Sequence, residues 1–171
     1  MTRNKNKEKI PLIVIGAQIN GNAGSVLEII GVMGIFEIVG FIDNAEHFQN
    51  SFIEGIPVLG KTDDLINLDL PTSNFHIAIG DNVARQKIAK KLIEVDRRLI
   101  TLVHPTSIIS NDIKIGDGCF IGPGVIIRRN VHIGNVTKIQ SGSIISSNVN
   151  IGSGVSLLNG VNVGRGVKIG D

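Results

Sequence analysis

The sequence predicts an α/β domain with a parallel sheet over residues 1–103, followed by a β-helix of hexapeptide repeats over residues 104–171. Two observations lead to this division. Before His104, short apolar runs of strand length alternate with helical stretches, which is the pattern of a parallel sheet covered by helices. After His104, an aliphatic residue returns at every sixth position, a period that fits neither a helix nor an ordinary strand.

The first half contains strand and helix patterns in alternation. LIVIG, residues 12–16, is a continuous apolar run ending in glycine, as expected of a buried parallel strand. AGSVLEIIGVMG then places apolar residues at helical spacing, and Gly34 is a stop signal. Further strands are predicted in FEIVGFID, FHIAIGDN and LITLV, and an amphipathic helix in VARQKIAKKLIEV. The order predicts a small Rossmann-like unit.

Glycine or polar residues follow three of these strands. They are Gly16-Ala17, Asp43-Asn44 and Gly80-Asp81-Asn82. Because ligands of parallel sheets bind at the carboxyl ends of the strands, we expect a small ligand pocket there. The loop GAQINGNAG, which includes Gly21 and Asn22, is similar to a phosphate-binding glycine turn but lacks the G-x-G-x-x-G spacing. Nucleotide or nucleotide-sugar binding and a turn-forming role for Asp43 both stay open.

The second half is one strict repeat. The aliphatic positions are Ile109, Ile115, Ile121, Ile127, Ile133, Ile139, Ile145, Ile151, Leu157, Val163 and Ile169. Glycine or asparagine recurs three residues later, as at Gly118 and Asn130, and both residues tolerate the left-handed backbone of a sharp corner. Three hexads per turn predict a triangular prism with the aliphatics inside, about three and a half turns long from Ser107. A purely structural scaffold is the alternative.

Composition excludes several classes of function. The chain is 42% hydrophobic and 19% charged with a formal net charge of +2, so it is globular and no nucleic-acid partner is expected. No apolar segment approaches the roughly 18 residues of a membrane span. The single cysteine, Cys119, is predicted to be a small core residue. No metal site is expected, and a reducing cytoplasm is the expected location.

The order of parts is similar to that of the sialic acid O-acetyltransferase family, which includes N-acetyltransferases of UDP-linked 4-amino sugars. The resemblance covers nearly the whole chain, through VIGA with its glycine loop, VGFIDN, EGIPVLG, IAIGDNVARQKIA, HPTSIIS and the repeats. It implies a left-handed β-helix, acetyl-CoA as co-substrate, a nucleotide-sugar in the N-terminal domain, and a homotrimer with acetyl-CoA between adjacent prisms. Members of the family usually continue for further coils, so the prism is expected to be shortened or short by nature.

The resemblance also implies roles for individual residues. The predicted substrate-binding residues are Gly16, Ala17, Gly21, Asn22, Asp43, Asn44, Gly80, Asp81, Asn82 and Arg85. The predicted acetyl-CoA-binding residues are Ser156 and Gly164.

The family's catalytic histidines are absent from this sequence. Its general base falls on Ser147 and the orienting carboxylate on Ser146, while two further histidines fall on Ser156 and Asn22. A serine hydroxyl without a neighbouring base cannot accept a proton at neutral pH, and base assistance contributes about 10²–10⁴-fold. His132 is the candidate for a displaced base.

Two functions of different class therefore remain. The first is an acetyl-CoA-dependent transferase acting on a nucleotide-linked amino sugar or a related surface-polysaccharide precursor. The second is a catalytically silent homologue that serves as a sugar-nucleotide-binding or assembly subunit.

Overall fold

A computed structural model describes residues 8–65 and 67–171. The first seven residues of the predicted N-terminal domain lie outside the described part of the chain. The described residues of the N-terminal half form six strands, two α-helices and one turn of 3₁₀-helix, Glu46–Phe48. The strands and helices are β1 (Ile10–Ile15), α1 (Asn22–Met33), β2 (Phe36–Ile42), β3 (Phe52–Ile53), β4 (Ile56–Gly60), β5 (Asn74–Ile77), α2 (Asn82–Glu94) and β6 (Arg98–Leu99).

The six strands form one sheet in the order β3-β4-β2-β1-β5-β6. All neighbouring pairs are parallel except β3 and β4 at one edge. β1 lies at the centre, and its residues from Leu12 to Ile15 are fully buried, which explains the unbroken apolar run. Helices α1 and α2 each bury one apolar face. The predicted Rossmann-like α/β domain is confirmed.

The C-terminal half forms a triangular prism with four short strands on each of three faces. The strands are β7 (Leu102–Val103), β8 (Ile108–Ile109), β9 (Lys114–Ile115), β10 (Phe120–Ile121), β11 (Ile126–Ile127), β12 (His132–Ile133), β13 (Lys138–Ile139), β14 (Ile144–Ile145), β15 (Asn150–Ile151), β16 (Ser156–Leu157), β17 (Asn162–Val163) and β18 (Lys168–Ile169). Strands that lie three places apart along the chain pair in parallel, so each pairing joins residues one coil apart. The prism begins at Leu102, two residues before the predicted boundary, because β7 pairs with β10.

Each prism strand points one side chain inward and one outward. The inward residues are the predicted aliphatics, which form one core with Cys119 and a second row of valines. Burial raises the pKa of the Cys119 thiol to about 11, so this cysteine is a core residue rather than a nucleophile.

The corners of the prism need a left-handed backbone. Positive φ angles recur at six-residue spacing from Gly118 to Gly166, and glycine or asparagine occupies every such position except Val136. Val136 holds φ at 49°, which is costly for a β-branched residue. Its side chain is buried in the apolar cluster that contains Leu99 and one face of α2, and this packing offsets the strain.

Hydroxyl groups connect successive coils from inside. Ser143 donates to the carbonyl of Leu158 at 2.9 Å, and Thr137 donates to the carbonyl of Gly152 at 2.8 Å. Both side chains are fully buried, so each satisfies a polar group that water cannot reach. Ser143 therefore belongs to the fold and not to the chemistry of its neighbours Ser146 and Ser147. Within the described residues, no helix is long and apolar enough to cross a membrane.

Candidate functional site

A cavity of about 440 Å³ opens at the carboxyl ends of the parallel strands. We call it the strand-end cavity. Six of the predicted substrate-binding residues line it: Gly16, Gly21, Asn22, Asp43, Asn44 and Gly80. Other lining residues are not among those predicted from the sequence, notably Gln18, Thr62, Asp63, Lys87 and Lys91. Thr62 and Asp63 follow β4, a strand that has no clear pattern in the sequence.

The glycine loop brings backbone groups against this cavity. Gly16 has a φ of 102°, and a Cβ atom there would lie 3.0 Å from the carbonyl oxygen of Ala78. A Cβ on Gly24 would lie 2.2 Å from the carbonyl oxygen of Ile19. Helix α1 begins after Gly21 without a side-chain cap and without an acidic residue in its first turn. Its free backbone N–H groups therefore offer an anion-binding end.

Two polar residues at the ends of the strands hold the rim of this cavity in place. The carboxylate of Asp43 accepts from the backbone N–H of Ala17 at 2.8 Å and from that of Ala45 at 2.9 Å. Asn44 accepts from both the backbone N–H and the hydroxyl of Thr62, at 2.7 and 2.8 Å. Asp43 is thus a turn former that also faces the cavity, and a carboxylate has acceptor capacity beyond these two bonds.

A second cavity, of about 340 Å³, lies between helix α1 and the prism. We call it the interdomain cavity. Its polar lining includes His76, His104, Lys138, Gln140, Ser141 and Asn159. Asn22 and Ala78 line both cavities, so the two spaces meet at the start of α1.

Lys138 points from prism strand β13 into the boundary between the cavities. The residue is only 7% exposed, and its ammonium donates to the side-chain oxygen of Asn22. Burial is the main cause that lowers the pKa of Lys138 to about 8, and the charge of Arg85 lowers it further. No salt bridge to Lys138 is found within residues 8–65 and 67–171.

His76 contributes a neutral imidazole to the interdomain cavity. Its Nδ1 lies 2.9 Å from the carbonyl oxygen of Ile100, so Nδ1 carries the proton and Nε2 presents a lone pair. Burial lowers the pKa of His76 to about 4, and the charges of Lys138 and Arg85 act in the same direction. The side chain therefore accepts hydrogen bonds at neutral pH but is a weak base.

Arg85 does not line either cavity. It is fully buried and ties helix α2 to two coils of the prism. Its Nε donates to the carbonyl of Val136 at 2.8 Å, and Nη2 donates to that of Gly154 at 2.7 Å. Nη1 donates to the carbonyls of Ile79 and Gly80. All three nitrogens of the guanidinium thus donate to acceptors within the protein, which gives Arg85 a structural role at this joint, and its substrate-binding role stays a prediction.

Of the remaining predicted residues, Asn82, Ser156 and Asp81 lie near this joint, whereas Ala17 and Gly164 do not. Asn82 accepts from Arg85 and from the hydroxyl of Ser156, at 2.9 and 2.8 Å. Asp81 caps α2 by accepting from the backbone N–H of Ala84 at 2.6 Å. The backbone of Ala17 is held by Asp43 as described. Gly164 lies on an exposed corner away from both cavities.

The predicted catalytic corner contains no titratable pair. Ser146 and Ser147 are half-buried, and neither side chain makes a hydrogen bond to any described residue. The strand that follows this corner is β15, and β15 pairs with β12, which contains His132. His132 therefore lies on the prism face next to the corner. No hydrogen bond joins it to Ser147 among the described residues, so its role as a displaced base stays a prediction.

Residues 11–92 match the model of the PglD N-terminal domain family. A histidine-to-asparagine mutant of perosamine N-acetyltransferase from Caulobacter crescentus, in complex with CoA and GDP-perosamine, is 26% identical with a TM-score of 0.77. The match covers 94% of this chain and 82% of that one. The resemblance to sugar acetyltransferases is confirmed.

Two further solved structures show the same architecture. The acetyltransferase domain of PglB from Neisseria gonorrhoeae FA1090, in complex with acetyl coenzyme A, is 25% identical with a TM-score of 0.62, covering 96% of this chain and 94% of that one. WeeI from Acinetobacter baumannii AYE is 21% identical with a TM-score of 0.80, covering 95% and 76%, and shows the fold alone. The prism is thus a left-handed β-helix. A search of curated proteins finds no significant match.

Proposed function

We propose that this protein transfers the acetyl group of acetyl-CoA to the amine of a nucleotide-linked amino sugar, such as a precursor of a surface polysaccharide. One observation carries the proposal: the strand-end cavity and the interdomain cavity meet at Asn22 and Ala78. A nucleotide-sugar is a ligand of two parts joined by a diphosphate, and this double cavity accommodates both parts in one chain. The similar protein from Caulobacter crescentus holds CoA and GDP-perosamine.

The two cavities divide the ligand by chemistry. The nucleoside occupies the strand-end cavity, where Asp43 and the backbone of the glycine loop offer acceptors and donors. The sugar occupies the interdomain cavity, whose lining reaches the prism corner at Gln140 and Ser141. In this orientation the nucleoside lies in the N-terminal domain and the sugar points toward the prism. In the proposed assembly, acetyl-CoA lies beside the prism.

The missing base favours an amine over a hydroxyl acceptor. A neutral amine carries its own lone pair and attacks the thioester carbonyl carbon without prior deprotonation. The carbon–sulfur bond then breaks, CoA leaves as a thiolate, and the extra proton on nitrogen passes to solvent. Positioning supplies the rate where no base assists, and the interdomain cavity provides that positioning. Because acetyl-CoA is made in the cytoplasm, we place the reaction there.

A homotrimer is part of the proposal, and one prism face supports it. The outward residues of β8, β11 and β14 are Ile108, Ile126 and Ile144, of which Ile108 is 65% exposed. The outward residues of the next face are Lys114, His132, Asn150 and Lys168. An aligned apolar stripe on a single face is typical of a subunit interface. In the sequence this stripe corresponds to the pairs Ile108-Ile109, Ile126-Ile127 and Ile144-Ile145, in which the first isoleucine of each pair is the outward one.

We expect Ile108→Asp with Ile144→Asp to dissociate the assembly. Light scattering on the wild-type protein should give a mass of about three times the 18.2 kDa of one chain. The double variant should give the mass of a single chain, because a carboxylate buried in the interface opposes association. Asn150→Asp, at the same slot on the neighbouring face, is the matched control. A monomeric wild-type protein would contradict the proposed trimer.

The proposed reaction is tested by thiol release. The protein is incubated with acetyl-CoA and a panel of GDP- and UDP-linked amino sugars, and free CoA is followed by absorbance while mass spectrometry detects the acetylated sugar. We expect slow turnover with at least one sugar. Loss of turnover in His132→Ala would identify His132 as the base. Sugar binding without any turnover would reject the acetyltransferase.

A catalytically silent homologue is the second candidate function. It is supported by the corner at Ser146 and Ser147, which offers no group that accepts a proton at neutral pH. Such a protein keeps the double cavity and binds the nucleotide-sugar as an assembly subunit. The same assay separates the two candidates, because only the first releases CoA.

A further inference from the structure

We propose that Lys138, a residue of the prism, binds the diphosphate of the nucleotide-sugar held by the other domain. The identity of the ligand rests on the proposed function, whereas the preference for an anion at this position rests on the structure itself. Lys138 belongs to neither the glycine loop nor the predicted catalytic corner.

The ammonium of Lys138 is buried, and no carboxylate of residues 8–65 and 67–171 forms a salt bridge with it. The residue is 7% exposed, and Asn22 supplies its hydrogen-bond acceptor. An ammonium carries three donors, so two remain for a ligand. The salt bridges within the described residues join Lys61 to Glu46 and Arg129 to Asp112. Glu28 lines the same cavity but makes no salt bridge with Lys138.

The surroundings of Lys138 add positive potential. The Arg85 guanidinium is close enough to lower the pKa of Lys138. Its hydrogen-bond acceptors are neutral groups, and the nearby charge of Asp81 compensates only part of its own charge. Asn22 is the first residue of α1, whose N-terminal N–H groups have no side-chain cap. Two buried cations and one helix N-terminus therefore act at one place, and an anion there would offset the cost of burying them.

The position agrees with the covalent order of the ligand. In a nucleotide-sugar the diphosphate lies between the nucleoside and the sugar. Asn22 lies between the strand-end cavity and the interdomain cavity, and Lys138 bonds to Asn22 from the prism side. A ligand that fills both cavities therefore carries its two phosphates past the ammonium.

The protonation of Lys138 fits this role. Burial without a counter-charge holds its pKa at about 8, and an adjacent diphosphate would raise it by favouring the charged form. The neutral imidazole of His76 in the same cavity does not compete for the anion. It instead offers Nε2 to a sugar hydroxyl.

The test measures binding by isothermal titration calorimetry with ligands that carry no amine, so acetyl transfer plays no part. The diphosphate ligands are inorganic pyrophosphate, UDP-glucose and GDP-mannose, and the matched ligands without phosphate are uridine and guanosine. For Lys138→Met we expect a 10- to 100-fold loss of affinity for the diphosphate ligands that bind the wild-type protein, about the contribution of one charge-assisted hydrogen bond. Nucleoside binding should not change.

Lys114→Met is the matched control, because Lys114 holds the outward slot of β9 on a different face and is exposed. It should bind all ligands as the wild-type protein does. Lys138→Arg should retain most of the affinity for diphosphates. Thermal melts check that each variant is folded, and Lys138→Met should melt no lower than wild type because it removes a buried charge.

The proposal is overturned by any of three results. These are equal affinity of Lys138→Met and wild type for diphosphates, an equal loss for nucleosides and diphosphates, or a wild-type protein that binds no diphosphate ligand. Failure of the acetyltransferase is a different result, since diphosphate binding through Lys138 with no CoA release would leave this inference standing.

Discussion

Replacing Ser147→His together with Ser146→Glu is expected to raise the rate of acetyl transfer by about 100-fold or more. The resemblance seen in the sequence implies that these two positions correspond to the general base and its orienting carboxylate, and this assignment is what the double variant tests. The coil around them is intact, since Ile145 and Val149 are buried in the prism core. A histidine there would take the proton that the attacking amine loses, and the glutamate would fix its tautomer. The measurement is kcat/KM by thiol release.

The single variants are the controls for this gain. Ser147→His alone should give a smaller increase, because its imidazole lacks the orienting carboxylate, and Ser146→Glu alone should give none. The double variant should also acquire a dependence on pH near 6.5, the ordinary pKa of histidine. A folded double variant with an unchanged rate would show that the corner lacks the geometry for catalysis.

The second large effect is expected from Arg85→Ala, which should lower the free energy of unfolding by about 3–5 kcal/mol, because several buried carbonyl acceptors lose their donors at once. The guanidinium bonds carbonyl oxygens of both domains, at Ile79 and Gly80 on one side and at Val136 and Gly154 on the other. Its removal leaves buried acceptors without donors and opens a space at the joint. Differential scanning calorimetry should show a melting temperature lower by about 10 °C.

Arg165→Ala is the control for this loss, because Arg165 is exposed on the last coil and its removal should change stability by less than about 0.5 kcal/mol. Arg85→Lys should be intermediate, since a single ammonium cannot reach acceptors on both coils. Equal stability of Arg85→Ala and wild type would contradict the structural role of this side chain.

The sequence was sufficient for the fold because its signals are local and repeated. The inward aliphatics and the glycine or asparagine corners are set by backbone geometry, which returns every six residues. Val136 is the one corner that this rule misses, since its strain is offset by packing against a domain that lies far away in sequence. The prism starts two residues earlier than predicted, because the pairing of β7 with β10 cannot be read from the sequence of β7 alone.

The site was only partly predictable. Strand ends converge in any parallel sheet, so Gly16, Asp43 and Gly80 could be found from pattern alone. Lys138 could not, because it occupies an outward slot of the repeat and its burial comes from a helix more than one hundred residues earlier. A binding role for Arg85 was implied by the family resemblance alone, and its acceptors at Val136 and Gly154 could not be read from the sequence because they lie in the other domain.

Each prism strand has one inward and one outward residue, and the two positions serve different purposes. The inward residue stabilises the fold, whereas the outward residue is available for contacts and chemistry. Inward positions such as Ile139 and Ile145 are fully buried, so selection for stability acts on them. Of their outward neighbours, Lys138 contacts the N-terminal domain and Ile144 is exposed. Corner residues such as Ser147 do not pack in the core. Catalytic groups at outward and corner positions can therefore be exchanged while the prism stays folded, because the core that holds the prism together lies on the other side of each strand.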